Sequence, residues 1–345
     1  MLGEAVRIAV DAMGGDRAPQ DVVSGCLAAL DAYPDVRILL VGRPEAVEPC
    51  LAGRDDERLR LVPAREVVGM DESPAQALRK KKDSSIAVCA GLLRKGDVSA
   101  VVSAGNTGAV VAAAMFAARL LPGVHRPGIA VTFPTTEERP VVLCDAGANI
   151  HCKPDHYAQY AIMAAAYAED VLGVARPRVA LLNIGTEEGK GGSGLRAVRE
   201  HLEAVSARGL FRFVGAVEAN HVFEGEADVV VCDGFTGNMV LKAAEGASRA
   251  VVEYLAAFAA RGDHDDRARQ ALTEALERLQ TFTHYAEYGG APLLGIDGCA
   301  IIAHGRSDAR ALQNAVRVAR DFALRRVNEH IATRIGAAQD EAVET

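Results

Sequence analysis

The sequence contains no tryptophan, few other aromatic residues and no excess of positive charge. Its formal net charge of −8 argues against a nucleic-acid partner, because proteins that bind phosphate backbones need a basic surface. A chain this acidic can bind an acidic partner only through a local basic patch. Half of its residues are hydrophobic, which is typical of a folded globular protein rather than of a disordered chain.

The cysteine pattern argues against disulfide bonds and structural zinc sites. The seven cysteines include no Cys-x-x-Cys pair, and their number is odd. Most stand in apolar runs, which favours buried, reduced thiols over disulfides or zinc ligands. We expect a single α/β domain over residues 1–335 and a flexible tail at 336–345, with neither a metal nor a cofactor.

We also expect neither a signal peptide nor a membrane span. Residues 1–7 carry Glu4 and lack a basic leader before an apolar core. Residues 98–118 contain no charged side chain and are long enough to cross a bilayer. Serines, two glycines, Asn106 and Thr107 interrupt the middle of that run, so we reject a span there.

The most informative stretch covers residues 100–121. Residues 100–102 read as a buried strand, 105–108 as a Gly-Asn-Thr-Gly turn, and 109–121 as an alanine-rich helix. A strand that enters a helix through such a turn leaves the first helical N–H groups unpaired, so that they and the helix dipole can bind an anion. The alternative is an ordinary turn, in which glycine only permits the backbone angles.

A second turn of the same kind favours the anion site. The predicted strand 228–232 runs into Asp-Gly-Phe-Thr-Gly-Asn at 233–238 and then into a helix that contains Lys242. Polar exits also follow Val10, Leu143 and Asn183. Because the carboxyl ends of parallel strands meet on one side of a sheet, we expect all these turns to gather there.

A glycine pattern at residues 189–194 keeps a second class of function open. It formally satisfies G-x-G-x-x-G, the dinucleotide signature, but it starts several residues beyond the predicted strand. It is not a phosphate-binding Walker loop either, since no Ser or Thr follows Lys190. Two alternatives therefore stay open, a nicotinamide-dependent dehydrogenase and a non-catalytic scaffold docked on a membrane.

Two surface features indicate partners. A predicted helix that begins near Ser73 ends in the cations at 79–82, which are either a solvated helix end or a docking patch for an acidic partner. Residues 239–282 form a predicted helical hairpin with apolar stripes. Core packing or a dimer interface is the default explanation of those stripes, and a membrane-surface contact is the alternative.

Six motifs occur together in a fixed order. They are Asp11-Ala12-Met13-Gly14-Gly15-Asp16, Ser103-Ala104-Gly105-Asn106-Thr107-Gly108, Asp145-Ala146-Gly147-Ala148-Asn149, Leu182-Asn183-Ile184-Gly185, Asp233-Gly234-Phe235-Thr236-Gly237-Asn238 and His304-Gly305. In that order they resemble the phosphate acyltransferase family of bacterial phospholipid synthesis, and the likeness covers residues 6–327.

The resemblance implies a fold, an activity and partners. The fold is a Rossmann-like open, mostly parallel sheet with helices on both faces, similar to phosphate acetyltransferases and isopropylmalate-type dehydrogenases. The activity is transfer of a fatty acyl group from acyl carrier protein to inorganic phosphate, giving an acyl phosphate for a downstream membrane acyl-phosphate:glycerol-phosphate acyltransferase. Family members are cytoplasmic homodimers that associate loosely with the inner face of the membrane.

The chemistry then suggests roles for particular residues. Phosphate is partly dianionic at pH 7 and is already a nucleophile, so the absence of a G-x-S-x-G nucleophile motif fits this reaction. The predicted catalytic residues are Asn106, Lys190, Asn238 and His304. The residues predicted to bind phosphate or substrate are Asp11, Gly14, Gly15, Asp16, Gly105, Thr107, Asn149, Asn183, Thr236, Gly237 and Lys242. The residues predicted to dock the carrier protein are Arg79, Lys80, Lys81, Lys82, Arg249, Arg261, Arg267 and Arg269.

Overall fold

The computed structural model describes residues 5–137, 139–187, 190–260, 266–283 and 288–340. Its strands are β1 Val6–Asp11, β2 Val36–Gly42, β3 Leu59–Pro63, β4 Ala100–Ser103, β5 Gly128–Phe133, β6 Val141–Cys144, β7 Arg178–Asn183, β8 Arg212–Glu218, β9 Val229–Val231, β10 Ala291–Leu294 and β11 Cys299–Ile302. Its helices are α1 Gln20–Ala32, α2 Pro44–Leu51, α3 Pro74–Lys80, α4 Ser85–Lys95, α5 Thr107–Ala117, α6 Pro154–Asp170, α7 Gly192–Ser206, α8 Gly234–Ala259, α9 Asp266–Thr283, α10 Ala309–Leu324 and α11 Val327–Asp340.

The strands form one eleven-stranded sheet in the order β3-β2-β1-β4-β11-β10-β5-β6-β9-β7-β8. Most neighbours are parallel, but β10 is antiparallel to both β11 and β5, and β5 is antiparallel to β6. The expected open, mostly parallel sheet is therefore confirmed. The three reversals have a further effect, because β1, β4 and β11 run in the opposite direction to β6, β7 and β9.

This reversal corrects the prediction that the polar turns gather on one side of the sheet. Strands β1, β4 and β11 finish at what we call the β4 end, whereas β6, β7 and β9 finish at the opposite, β9 end. The prediction is wrong because an apolar run shows that a strand exists but not which way it runs. The short β10, with Pro292 inside it, carries no alternation that could have indicated the reversal.

Helices cover both faces of the sheet. One face carries α1, α2, α6, α7, α10 and α11, and the other carries α3, α4, α5 and part of α8. Helix α6 is buried from His156 to Ala168, since α7 and α11 pack against it on the side away from the sheet. Strands covered on both faces need unbroken apolar sequence, and every residue of β4 and of β6 is indeed buried.

Helix α8 starts the predicted hairpin, and α9 packs along it. It begins at Gly234, earlier than the sequence suggested, and only Gly234 and Gly237 are fully buried. Val240, Leu241 and Ala244 are partly buried against the second face of the sheet. Within the described ranges, no helix combines the length and the apolar character that crossing a bilayer requires. The rejected span at 98–118 is divided among β4, a turn and α5.

The C-terminal region forms two helices rather than one. Arg326, between α10 and α11, has φ of +53°, which ends the first helix before the second begins. Helix α11 continues to Asp340, so residues 336–340 of the predicted flexible tail are helical. Residues 341–345 lie outside the described part of the chain.

Candidate functional site

The β4 end of the sheet is built around a buried carboxylate. Asp11 ends β1, and Ser103 at the end of β4 donates a hydrogen bond of 2.7 Å to its Oδ2. The Gly105 N–H in turn donates to Ser103 Oγ at 3.1 Å, and the Met13 N–H donates to Asp11 Oδ1 at 3.1 Å. Burial raises the pKa of Asp11, and the hydrogen bonds from Ser85, Ser103 and Met13 partly offset this.

Glycine lets three loops meet at this end. A Cβ on Gly14 would lie 2.7 Å from the Gly105 nitrogen, so no side chain fits between those two loops. Gly15 has φ of +108°, a conformation that favours glycine. The next residue, Asp16, donates its N–H to the Gly305 carbonyl at 2.7 Å. The loops after β1, β4 and β11 therefore form one continuous surface.

Asn106 at this surface caps helix α5. Its Oδ1 accepts the Ala109 N–H at 3.0 Å, and its Nδ2 donates to the carbonyls of Met70 at 2.7 Å and Glu72 at 3.2 Å. Its side chain is therefore occupied by the protein itself. The N–H groups of Thr107 and Gly108, in the first turn of α5, have no hydrogen-bond partner among the described residues. They are the groups here that can receive an anion.

Helix α8 brings two charged side chains, Lys242 and Glu245, close to His304 at this end of the sheet. The Arg306 N–H donates to His304 Nδ1 at 3.1 Å, which leaves Nε2 to carry the proton of the neutral ring. His304 Nε2 lies 3.9 Å from Glu245 Oε2, and Lys242 Nζ lies 2.9 Å from the same oxygen. Burial lowers the pKa of His304, and the Glu245 charge only partly offsets this, so the imidazole is neutral at pH 7.

A second buried carboxylate organises the β9 end. Asp145 follows β6, and its Oδ1 accepts the N–H groups of Ile129, Gly147 and Ala148 at 2.9–3.0 Å. Its Oδ2 accepts the Asn149 N–H at 2.7 Å, while burial raises its pKa. The Asn149 side chain donates to the Pro127 carbonyl at 2.6 Å, so it stabilises the loop rather than facing solvent.

The first turn of α8 packs directly on this loop. Asp233 caps the helix by accepting the Thr236 N–H at 2.8 Å and the Thr236 hydroxyl at 3.0 Å. Gly237 lies so close to the Asp145 carbonyl that a Cβ would come within 2.0 Å of it. Asn238 is exposed and lies opposite Gly147. The roles of Thr236 and Gly237 visible here are therefore structural.

The predicted site residues thus fall into two groups, which α8 connects. Lys242 and His304 come together at the β4 end, although Lys242 belongs to the helix that starts at the β9 end. No contact among the described residues joins Asn106 to Asn238. Lys190 is exposed on the loop after β7, where Asn183 Nδ2 donates to its carbonyl at 3.3 Å. The glycines that follow are not at a dinucleotide turn, since α7 begins only at Gly192.

The predicted docking cations differ in what they contact. Arg79, Lys80 and Lys82 are exposed at the end of α3. Lys81 instead pairs with Glu72 and donates to the Val67 carbonyl at 2.7 Å, so it holds the loop that Asn106 also contacts. On the hairpin, Arg249 and Arg267 are exposed, whereas Arg261 and the side chain of Arg269 lie outside the described residues.

Only one group of metal-type ligands occurs in the described ranges. Ligand atoms of His221, Glu224 and Glu226, after β8, lie within 4.8 Å of one another on the surface. His221 Nδ1 already contacts Glu224 Oε2 at 2.7 Å, which raises the pKa of the imidazole. This group is a surface ion pair and belongs to none of the six motifs.

Comparison with known proteins identifies the family. The sequence matches the family described as "Fatty acid synthesis protein" over residues 6–330. It is 43% identical to the phosphate acyltransferase of Syntrophotalea carbinolica, over 99% of this chain and 97% of that relative. The phosphate acyltransferase of Heliobacterium modesticaldum is 44% identical, over 96% of this chain and 99% of the relative. The chain belongs to the phosphate acyltransferase family.

Solved structures confirm the expected fold for this phosphate acyltransferase family member. A phosphotransacetylase from Streptococcus pyogenes superposes with a TM-score of 0.64, over 93% of this chain and 95% of that chain, at 16% identity. The EutD phosphotransacetylase of Staphylococcus aureus gives a TM-score of 0.60 at 14% identity, over 93% and 95% of the two chains. At such low identity the likeness concerns the fold alone.

Sequence reasoning missed three residues that shape the site. Ser103 and Asp145 are buried polar residues at the ends of apolar runs, a position that could have marked them. Glu245 stands three residues after Lys242, a spacing that places two side chains on one helix face. Its contact with His304, however, depends on how α8 crosses the sheet, which no local pattern shows.

Proposed function

We propose that this protein transfers a fatty acyl group from acyl carrier protein to inorganic phosphate. The observation that carries the proposal is a pair of N–H groups in the first turn of α5, those of Thr107 and Gly108, which have no partner among the described residues. They lie at the same end of the sheet as His304 and Lys242. The names of the full-length relatives supply the reaction class. The resemblance of the motifs to this family supplies the carrier protein as the donor.

The reaction needs no covalent intermediate on the enzyme. A phosphate oxygen attacks the thioester carbonyl carbon, the new C–O bond forms and the C–S bond breaks. The products are an acyl phosphate and the carrier thiolate, which leaves readily because its thiol has a pKa of about 8.5 and which then takes up a proton. The enzyme therefore has to position a dianion and stabilise the oxyanion that forms at the carbonyl.

The residues at the β4 end match these two tasks. The N–H groups of Thr107 and Gly108, together with the dipole of α5, bind the phosphate. Lys242 adds positive charge to the same site. The Nε2–H of neutral His304 donates to the carbonyl oxygen as it becomes negative, a contribution of about 3 kcal/mol for a well-aimed donor.

A direct assay tests this function. Acyl carrier protein loaded with a fatty acyl group is incubated with the enzyme, with and without inorganic phosphate, and both the free thiol and the acyl phosphate (trapped with hydroxylamine) are measured. We expect equal amounts of the two products, and only when phosphate is present. Thiol release that is independent of phosphate would indicate a hydrolase and would contradict the proposal.

The assembly and location implied by the resemblance belong to the same proposal. We propose a cytoplasmic homodimer whose α8–α9 hairpin contacts a second copy or the inner face of the membrane. The exposed Val251 and Tyr254 on α8 support a contact of that kind. The product is a reactive mixed anhydride, so a membrane acyltransferase that uses glycerol phosphate is its natural consumer. Sedimentation, and co-flotation with anionic vesicles, distinguish the two contacts of the hairpin.

A further inference from the structure

An exposed aromatic ring lies near the end of α5, away from the proposed site. Phe116 is 79% exposed and the neighbouring Met115 is 42% exposed. The Arg94 guanidinium, from the last turn of α4, lies 5.8 Å from the centroid of the Phe116 ring. That is the distance of a cation–π contact. Large apolar side chains grouped on a surface and bordered by charge mark a contact with another molecule.

The surroundings of this ring are basic. Helices α3 and α4 both pack against α5. The exposed cations on these helices and just beyond α5 lie at both ends of α4. Arg79, Lys80 and Lys82 stand beside its start, and Arg94, Lys95 and Arg119 lie at the end that carries Phe116. Within the part of the chain that the structure describes, none of them forms an ion pair. The exposed acids Asp71, Asp97 and Asp297 lie nearby. A positive region of this kind is unexpected in a protein whose net charge is −8.

We propose that these cations, with Met115 and Phe116, form the docking surface for the acidic carrier protein that delivers the acyl group. We call it the Phe116 surface. The inference rests on the proposed function, because it takes the carrier protein as the donor. It extends the docking patch predicted at 79–82 along α4 to the exposed apolar side chains at the end of α5. It also excludes Lys81, whose partner is Glu72.

The position of the surface suits this donor. Asn106 caps one end of α5 and Phe116 lies near the other, about 15 Å along the helix axis. A carrier bound at Phe116 therefore needs a long, flexible thioester arm to reach the first turn of α5. The charges favour an acidic occupant, and they repel a second copy that docks through the same basic face. An elongated face with cations at both ends and an exposed aromatic ring fits a small acidic protein with an exposed apolar patch.

Charge and ring variants with matched controls test the docking surface. The variants are Arg94→Glu and Phe116→Asp. The controls are Arg325→Glu and Leu324→Asp, at exposed positions on the opposite face of the sheet, where Leu324 is 46% exposed. Each protein is assayed with acyl carrier protein as the donor and, separately, with an acyl-pantetheine thioester that lacks the carrier. We expect KM for the carrier donor to rise at least tenfold in the two variants only.

The small donor separates docking from chemistry and from folding. Its kcat and KM stay unchanged in all four proteins if the Phe116 surface binds the carrier. A wild-type KM for the carrier donor in both variants would overturn the inference while leaving the proposed function intact. Inactivity of the wild-type enzyme with carrier-bound substrate would instead overturn the proposed function, and the docking surface with it.

Two other outcomes would reassign the surface. A change in sedimentation coefficient in Phe116→Asp, with KM for the carrier unchanged, would show that the surface contacts a second copy of the chain. Lost flotation with anionic vesicles, again with KM unchanged, would show that it contacts a membrane. Either result contradicts carrier docking.

Discussion

At the scale of single residues, the two buried carboxylates explain why the turns hold their shape. Asp11 and Asp145 are acceptors for N–H and hydroxyl groups that would otherwise be unsatisfied in loops without regular structure. Each stands directly at the end of a strand, so one side chain organises the turn that follows. Short buried side chains therefore stabilise the turns at both ends of the sheet.

Asn106→Ala tests whether the cap of α5 is also part of the site. We expect a loss of about 1 kcal/mol in the free energy of unfolding, because the Ala109 N–H loses its acceptor. We also expect the acyl-transfer rate to fall about 100-fold, because the turn that binds phosphate loosens. Denaturant unfolding and steady-state kinetics measure the two effects.

Asn106→Ser is the control for that variant. Serine keeps an oxygen at the cap but loses the donor to Met70 and Glu72. We expect nearly wild-type stability with a reduced rate. A wild-type rate in Asn106→Ala would remove Asn106 from the site.

The pH dependence of His304 tests its role as a neutral donor. Burial has the largest effect on the pKa of His304 and places it below the usual 6.5. The charges of Glu245, Lys242, Arg306 and Asp16 have smaller effects on this pKa. The rate, once corrected for the fraction of phosphate that is dianionic, should be constant near pH 7. It should fall as the pH drops through this lowered pKa, because protonation then charges the ring. NMR titration of the imidazole should show a lower pKa in Glu245→Gln and a higher one in Lys242→Met. Shifts in the opposite directions would contradict this arrangement.

At the scale of secondary structure, two of the three glycines of α8, Gly237 and Gly246, differ sharply in their surroundings. A Cβ on Gly237 would lie 2.0 Å from the Asp145 carbonyl oxygen, whereas a Cβ on Gly246 would have no atom within 4 Å. The helix is therefore fixed closely at its start and is open to solvent further on. Its first turns position everything that follows, including Lys242 and Glu245.

This contrast makes a matched pair of substitutions informative. Gly237→Ala should lower the free energy of unfolding by about 1–3 kcal/mol, because the methyl group forces α8 away from the Asp145 loop. Gly246→Ala should instead raise it by up to about 1 kcal/mol, since alanine favours a helix over glycine. Thermal and denaturant unfolding measure both. Equal effects at the two positions would show that the close packing at Gly237 is not maintained in solution.

Local sequence patterns predicted the elements better than their arrangement. Strand β4, the turn at 105–108 and helix α5 were evident because an apolar run, a glycine turn and a small-residue helix each have a local signature. The motif order also identified the family. The opposite directions of β4 and β9 could not be predicted, because they depend on the antiparallel pairing of β10 with β5, two strands that are remote in sequence.

The same distinction applies to the site. His304 and Lys242 were selected by residue type, and the structure does bring them together. Residue type also predicted a phosphate-binding role for Thr236, Gly237 and Asn149. Their contacts instead stabilise the Asp145 loop and the start of α8. Residue type indicates what a side chain can do, whereas its neighbours decide whether the protein already uses it.

At the scale of the whole molecule, charge is distributed unevenly. The chain is acidic overall, yet α3, α4 and the end of α5 present exposed cations on one face. Such a distribution increases the rate at which an acidic partner meets the correct face, and it is sensitive to salt. The long-range attraction should therefore be measurable as an effect of ionic strength on KM for the carrier donor.

Reversing Lys80 and Lys82 to glutamate tests this electrostatic steering. We expect KM for the carrier donor to rise at low salt and its dependence on salt to flatten, because both side chains are exposed cations. Lys81→Met is the contrasting variant, since it breaks the pair with Glu72 and should mainly lower stability. An unchanged salt dependence in the double variant would show that this end of α3 is only solvated.

Because the two halves of the sheet run in opposite directions, α8 has to span the distance between the Asp145 loop and His304. A helix advances about 1.5 Å and turns about 100° with each residue. Deleting one residue between Gly237 and Lys242 would consequently rotate Lys242 and Glu245 away from His304, although both side chains would still be present. Past Gly246 the helix is exposed, and its length there has no bearing on that alignment. The number of residues in the first turns of α8 thus determines where Lys242 and Glu245 lie relative to His304.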